Sequence, residues 1–241
     1  MLAFANRTMK EILRDPLTLA FGLGFPVILL LLLSIIQSNI PVDMFELHHL
    51  TPGITVFGLS FMTLFSAQLI SKDRTSSLLT RLYTTPLKAT DFIFGYLLPI
   101  IPLCLAQAVI CYVIALILGL PISVNIIWAV LMILVPSFFY IALGLLCGSA
   151  MTEKQVGGIC GALLTNFSAW LSGIWFDISM LGKVFKAIAN VLPFIHAVEL
   201  ERAVVIGDFS AAVPHLIWVL AYGIVLMCIA VFVFLRQMKK Q

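Results

Sequence analysis

Six long stretches, residues 17–36, 53–70, 93–118, 125–149, 156–176 and 216–235, contain none of the 14 Lys and Arg or the 11 Asp and Glu of this 241-residue chain. A bilayer core about 30 Å thick takes about 20 apolar residues of helix to cross, and each stretch is close to that length or longer. The expected fold is therefore all-α, a polytopic membrane protein with six transmembrane helices. Composition agrees: 62% of residues are hydrophobic, only 10% are charged and the mean hydropathy is +1.14, against about 25% charged residues in a soluble domain. The five cysteines, Cys104, Cys111, Cys147, Cys160 and Cys228, all fall inside predicted spans, so they read as small core residues and not as a disulfide framework or a thiolate metal site. About 16 mixed residues precede the first apolar run and no small-residue cleavage pattern follows it, so the N-terminus is expected to remain in the mature chain.

Six spans put both termini on one side, and cationic residues select that side. Arg7, Lys10, Arg14, Lys72, Arg74, Arg81, Lys88, Lys154, Arg236, Lys239 and Lys240 share it, whereas only Lys183, Lys186 and Arg202 lie opposite. The positive-inside rule makes the termini, the 71–92 loop and the loop at Glu153-Lys154 cytoplasmic. The net charge of +3 then reflects membrane orientation, with no basic surface for nucleic acid.

Three segments outside the spans carry pattern. Residues 1–16 place Leu2, Ala5, Met9, Ile12 and Leu13 at helical spacing, with Arg7, Lys10 and Arg14 on another face; this predicts a helix in the cytoplasmic interface, its basic face toward lipid headgroups. Between spans two and three, Leu78, Leu79 and Leu82 form one side of a short helix in the 72–90 segment, with Asp73 or Thr75 as its N-cap and Pro86 ending it. Residues 172–207 are apolar but broken by Gly173, Gly182, Pro193 and Gly207 into pieces too short to cross. Half-inserted, re-entrant helices on the external side fit, and such backbone must be covered by protein or line a wet cavity.

The order of these parts resembles the ABC transporter type-2 permease family. The resemblance runs the length of the chain and is carried by Thr85-Pro86 with Asp91 and Gly95, and by Leu171-Ser172-Gly173 followed by Pro193 and by Glu199 to Arg202. It implies an exporter permease with six spans, paired with a second permease subunit, the same or related, and with two copies of a cytoplasmic ABC ATPase that binds ATP and Mg; no cofactor is implied on this chain itself. It also implies that the cytoplasmic helix couples to the ATPase through Leu79, Arg81, Leu82, Tyr83, Thr84, Thr85 and Pro86. Many relatives carry an E-x-G-T-x-E pattern ahead of this helix, where this chain reads Lys72-Asp73-Arg74-Thr75-Ser76-Ser77-Leu78.

Energetics point the same way. Ion-coupled transporters and voltage sensors place Asp, Glu, His or Arg inside the bilayer, and the six stretches hold none of these. No G-x-x-x-x-G-K-[ST] phosphate loop is present, so ATP hydrolysis belongs to another polypeptide and the chain is not expected to be an enzyme by itself. Phe57, Phe61 and Phe65 recur at i, i+4 and i+8, and Asn166 lies one turn before Trp170; these are the candidate lining of a pathway for a hydrophobic or amphiphilic cargo. Ser172, Gly173, Trp175 and Pro193 are the candidate external gate. Gly144-x-x-x-Gly148 and Gly157-x-x-x-Gly161 permit close helix approach within or between chains. Two other classes compete: a passive pore or membrane scaffold, and an intramembrane serine protease built on Ser172 and His196, which requires those two within hydrogen-bond reach. Neither paired His48-His49 nor any other cluster predicts a metal site, since adjacent side chains diverge.

Overall fold

The computed structural model describes residues 2–40, 45–76, 89–176 and 178–238. Five helices among them are long and apolar enough to cross a bilayer: α2 (Pro16–Asn39), α3 (Leu47–Thr75), α4 (Thr90–Ile117), α5 (Asn125–Ala150) and α9, the 30-residue helix Phe209–Met238. Ahead of them lies α1 (Leu2–Arg14). The stretch 153–171, here α6, is helical throughout, but it opens with Glu153-Lys154-Gln155 and holds Asn166, so it falls outside the five. It stops at Leu171, where the sequence pattern extends the span to 176. Beyond it come a 3-10 turn (Ile178–Leu181) and two short helices, α7 (Lys183–Val191) and α8 (Pro193–Ile206).

Local chemistry sets these boundaries. Asp15 starts α2, its carboxylate accepting from the Leu17 amide at 3.1 Å and the Thr18 hydroxyl at 2.7 Å, with Pro16 in the first turn where a missing N–H costs nothing. Thr152 and Gln155 close a capping box at the start of α6, side chain to backbone in both directions. Gly207 ends α8 in the left-handed region at φ 86°, which lets the Asp208 amide reach back to the Ala203 carbonyl at 2.9 Å. Proline shapes the helix interiors. A π-helical turn, Ala20–Gly24, precedes Pro26 in α2, and α4 is interrupted at Pro99 between Ala89–Leu97 and Ile100–Ile117. Both follow from the amide that proline lacks.

Helix α3 is the axis of the bundle. In its most apolar window 89% of residues are buried, against 22% for α2 and 17% for α9. It packs along α5, and also against α2, α4, α6 and α8. Small residues bring α3 and α5 together: a Cβ at Gly144 would lie 2.8 Å from the Ser66 Cβ, and one at Gly148 would lie 2.8 Å from both the Ala67 carbonyl oxygen and the Ile70 Cβ. The first small-residue pair thus serves packing within one chain. The second does not, as a Cβ at Gly157 meets nothing within 4 Å and one at Gly161 makes an ordinary contact with Leu64 at 3.5 Å.

Several polar groups inside this core find partners across helices, while the Thr51 and Ser66 hydroxyls of α3 have none among the described residues. Thr63 donates to the Tyr140 carbonyl at 2.7 Å, the Tyr140 and Ser168 hydroxyls bond at 2.6 Å, and the Gln107 amide donates to the Thr55 carbonyl at 3.1 Å, linking α3, α4, α5 and α6. Such bonds contribute about 0.6 to 2 kcal/mol each in a bilayer, and fix which faces meet.

Replacing Gly148 by Ala is expected to cost about 1 to 3 kcal/mol through overpacking, read as a lowered thermal midpoint of the detergent-solubilised chain. Gly157→Ala, in open space, should leave that midpoint where it was.

Candidate functional site

The last turn of α3 ends immediately before the segment in which the coupling residues are expected, and it is held from three sides. The apolar face of α1, with Phe4, Ala5, Thr8 and Ile12 buried, lies against the first half of α4, where the Phe4 ring meets Phe92 at 5.7 Å and Tyr96 at 5.0 Å, both edge-on. Much of the apolar side of α1 is thus spent on protein, while Leu2 and Leu13 remain exposed.

Above that contact sits Asp73, 2% exposed. The Arg7 guanidinium donates to both of its oxygens, at 2.5 and 2.9 Å, and the Tyr96 hydroxyl donates at 3.0 Å. A bidentate guanidinium plus a phenol satisfies a buried carboxylate, and the same pairing raises the Arg7 pKa further above its ordinary value. Arg7 also meets Glu11 at 2.7 Å, and Glu11 accepts from Lys72 at 3.0 Å. Arg74 donates to the Ser149 and Met151 carbonyls, fastening the end of α5. Asp73 and Thr75, set by the sequence pattern at the start of a following helix, therefore belong to α3; the Thr75 hydroxyl bonds back to the Ser71 carbonyl at 3.1 Å. In a run of Lys72-Asp73-Arg74 nothing marks the middle residue as buried, so its structural role was hidden.

Beside this clamp, a cavity of about 850 Å³ opens between α1, the start of α2 and α3. Lys10, Arg14, Gln68, Lys72 and Phe65 are among its lining residues. The expected coupling residues Leu79, Arg81, Leu82, Tyr83, Thr84, Thr85 and Pro86 lie outside the described residues.

At the opposite end, α8 is tied down by Arg202. Its guanidinium pairs with Glu199 at 2.8 Å, donates to the His49 carbonyl at 3.2 Å and to the Gly173 carbonyl at 3.1 Å, so one side chain joins α8, the start of α3 and the turn after α6. Gly173 adopts φ 70°, a left-handed conformation that a residue with a Cβ seldom takes. Ser172 is buried and its hydroxyl donates to the Ala169 carbonyl at 3.1 Å; Pro193 is buried at the start of α8, and Trp175 lies edge-on to Phe57 at 6.2 Å. Ser172, Gly173 and Trp175 thus lie in the turn after α6, and Pro193 opens α8, which Arg202 joins to that turn through the Gly173 carbonyl. Helices α7 and α8 are bound to α9 by polar contacts: Trp218 and Tyr222 both donate to the Val191 carbonyl, at 3.2 and 2.7 Å, and the Nδ1 atoms of His196 and His215 are 2.8 Å apart. The other His196 nitrogen bonds the Asn190 carbonyl at 2.9 Å. Ser172 and His196 have separate partners, and no serine–histidine pair forms.

The pathway candidates divide. Phe57 and Phe61 are 4% and 8% exposed, with Phe61 covered by Phe21 and Phe25 of α2, while Phe65 is half-buried. Asn166 and Trp170 lie on an exposed face of α6, where Asn166 bonds the Ala162 carbonyl at 2.7 Å and Trp170 contacts Phe167. Within one copy of the chain, the phenylalanine stripe and the α6 pair do not meet at a common surface.

Sequence reasoning passed over Glu201. This carboxyl is fully buried on α8, and neither oxygen has a hydrogen-bond partner among the described residues. In the run Glu199-Leu200-Glu201-Arg202 it reads as one charge of a solvated turn. The only signal is that α8 must bury one face, and Ala197, Glu201 and Val204 share it.

Comparison with curated proteins gave no match. The family profile described as ABC-2 type transporter matches residues 1–206, which takes in the α1 clamp, the whole of α2 to α6 and the α7–α8 region up to the end of α8. The chain therefore belongs to the ABC-2 type transporter family.

Proposed function

We propose that this chain is the permease of an ATP-driven exporter, with the end that carries Arg7, Asp73 and Lys72 in the cytoplasm and the α7–α8 end outside. The observation that carries the reading is the clamp at Asp73. A segment that receives force from another protein needs stiff ends, and the two ends of residues 77–88 are the last turn of α3 and the start of α4, both bound into one network by Arg7, Asp73 and Tyr96. Motion imposed on that segment by a cytoplasmic ABC ATPase passes into α3, which touches most of the bundle and reaches Arg202 at its far end.

In this reading α6 is the sixth span, completing an arrangement in which both termini share the cytoplasmic side of the cell membrane. Two permeases, the same or related, work with two ATPases, which hold the ATP and Mg. The exposed α6 face with Asn166, Phe167 and Trp170 is the surface that a second permease or a lipophilic cargo meets, and residues 172–207 close the outside. An apolar lining favours a hydrophobic or amphiphilic cargo, since a strongly charged one would need polar groups to replace its water.

Two outcomes follow. A photo-crosslinker at Arg81, used on the chain purified from its native membrane, is expected to capture an ATPase; a chain that purifies alone and uncrosslinked would overturn the reading. Asp73→Asn removes the charge that Arg7 neutralises, and is expected to lower ATP-driven transport by roughly tenfold or more, the equivalent of about 1.4 kcal/mol of lost coupling, while the protein still inserts. Unchanged transport by a folded Asp73→Asn protein would show that the clamp transmits nothing.

A further inference from the structure

Glu201 has a setting unlike that of any other carboxyl described here. It is 0% exposed and neither oxygen has a hydrogen-bond donor among the described residues, so burial disfavours its charged form. The buried Asp73 is matched by a bidentate guanidinium and a phenol. Glu201 receives neither, although Arg202 is its neighbour in sequence; that side chain turns to Glu199 and to the His49 and Gly173 carbonyls. A carboxylate without a counter-charge in a dry core is among the most costly groups a protein can bury, and a protonated carboxyl removes most of that cost.

The surroundings supply no alternative charge. Of the elements against α8, α3 contributes His49, which is exposed; α7 contributes Lys183 and Lys186, both exposed; and α9 contributes His215, engaged with His196. The first half of α5 contributes Asn125, which donates to the Val205 carbonyl at 3.4 Å, and the end of α6 contributes no ionisable group. On α8 itself, Glu199 pairs with Arg202 and His196 bonds Asn190. Tyr112 of α4, whose buried hydroxyl is likewise without a hydrogen-bond partner among the described residues, lies within electrostatic reach of Glu201.

We propose that Glu201 is a proton-binding site of the outer hairpin: the carboxyl is protonated while α8 is packed against α3 and α5, and it gives up its proton to outside water when the hairpin lifts. The O–H bond of the carboxyl breaks, a water molecule takes the proton, and the carboxylate left behind is hydrated; closure reverses each step. Opening is then favoured as external pH rises, because the open form binds one proton fewer. The release step rests on the reading of residues 172–207 as an outer gate, whereas the protonated resting form does not.

Infrared difference spectroscopy separates the two. The wild-type complex minus Glu201→Gln should show the carbonyl stretch of a protonated carboxylic acid at neutral pH, moving in heavy water, and isotope-labelled glutamate should shift the same band in wild-type protein should the variant fold poorly. Carboxylate bands in its place would overturn the proposal. ATP should then diminish the acid band, and a band unchanged while ATP is hydrolysed would overturn the release step. An acid band in a preparation with no associated ATPase would uphold the proton site and refute the exporter reading instead.

Discussion

The enclosure of α3 is the constraint on which the rest of this structure depends. A membrane helix surrounded by other helices cannot rely on lipid to accept its side chains, so its contacts must be close, and its polar groups must find partners within the protein. Gly144 and Gly148 of α5 meet the first demand, and the Thr63–Tyr140, Tyr140–Ser168 and Gln107–Thr55 bonds meet the second. The consequence is mechanical. A rod of 29 residues with charged clamps at its two ends, Asp73 with Arg7 at one and the His49 carbonyl with Arg202 at the other, has little freedom to bend between them.

The two clamps differ in kind. At the Asp73 end the buried group is an anion fully matched by donors, an arrangement that costs several kcal/mol to disrupt by removing one partner. At the α8 end the donor is a partly buried arginine spread over two carbonyls and one carboxylate, contacts that can be exchanged for water at lower cost. Residues 172–207 also consist of short pieces joined at Gly182, Pro193 and Gly207, and α7 leaves Val184, Ile188 and Val191 exposed. The bundle is thus firmly held at the Asp73 end and more loosely fastened at the α8 end.

Much of this was legible in the sequence because bilayers punish charge. The charge-free stretches locate the cores of α2, α3, α4, α5 and α9 but stop short of the ends of α3 (Leu47–Thr75) and of the start of α9 at Phe209, and Gly182, Pro193 and Gly207 mark the breaks of the α7–α8 region by backbone chemistry alone. What could not be read depends on pairing. Asp73 and Glu201 are both acidic residues in short charged runs; one is buried against Arg7, 66 positions away, and the other is buried with no hydrogen-bond partner among the described residues, and local pattern distinguishes neither from a solvated residue. The phenylalanine stripe was visible as a stripe, but its covering by Phe21 and Phe25 depends on how α2 lies on α3. The early stop of α6 was missed because its continuation through Trp175 is as apolar as the helix itself, and only the left-handed Gly173 turns the chain.

The exporter reading requires that α3 move as a single body while the α7–α8 region opens. Hydrogen–deuterium exchange of the complex, with and without ATP, reads this directly. Amides of 47–75 are expected to stay protected in both states, and those of 172–207 to gain exchange when ATP is present. Exchange rising within 47–75 while 172–207 stays protected would contradict it, and would make α3 the moving part.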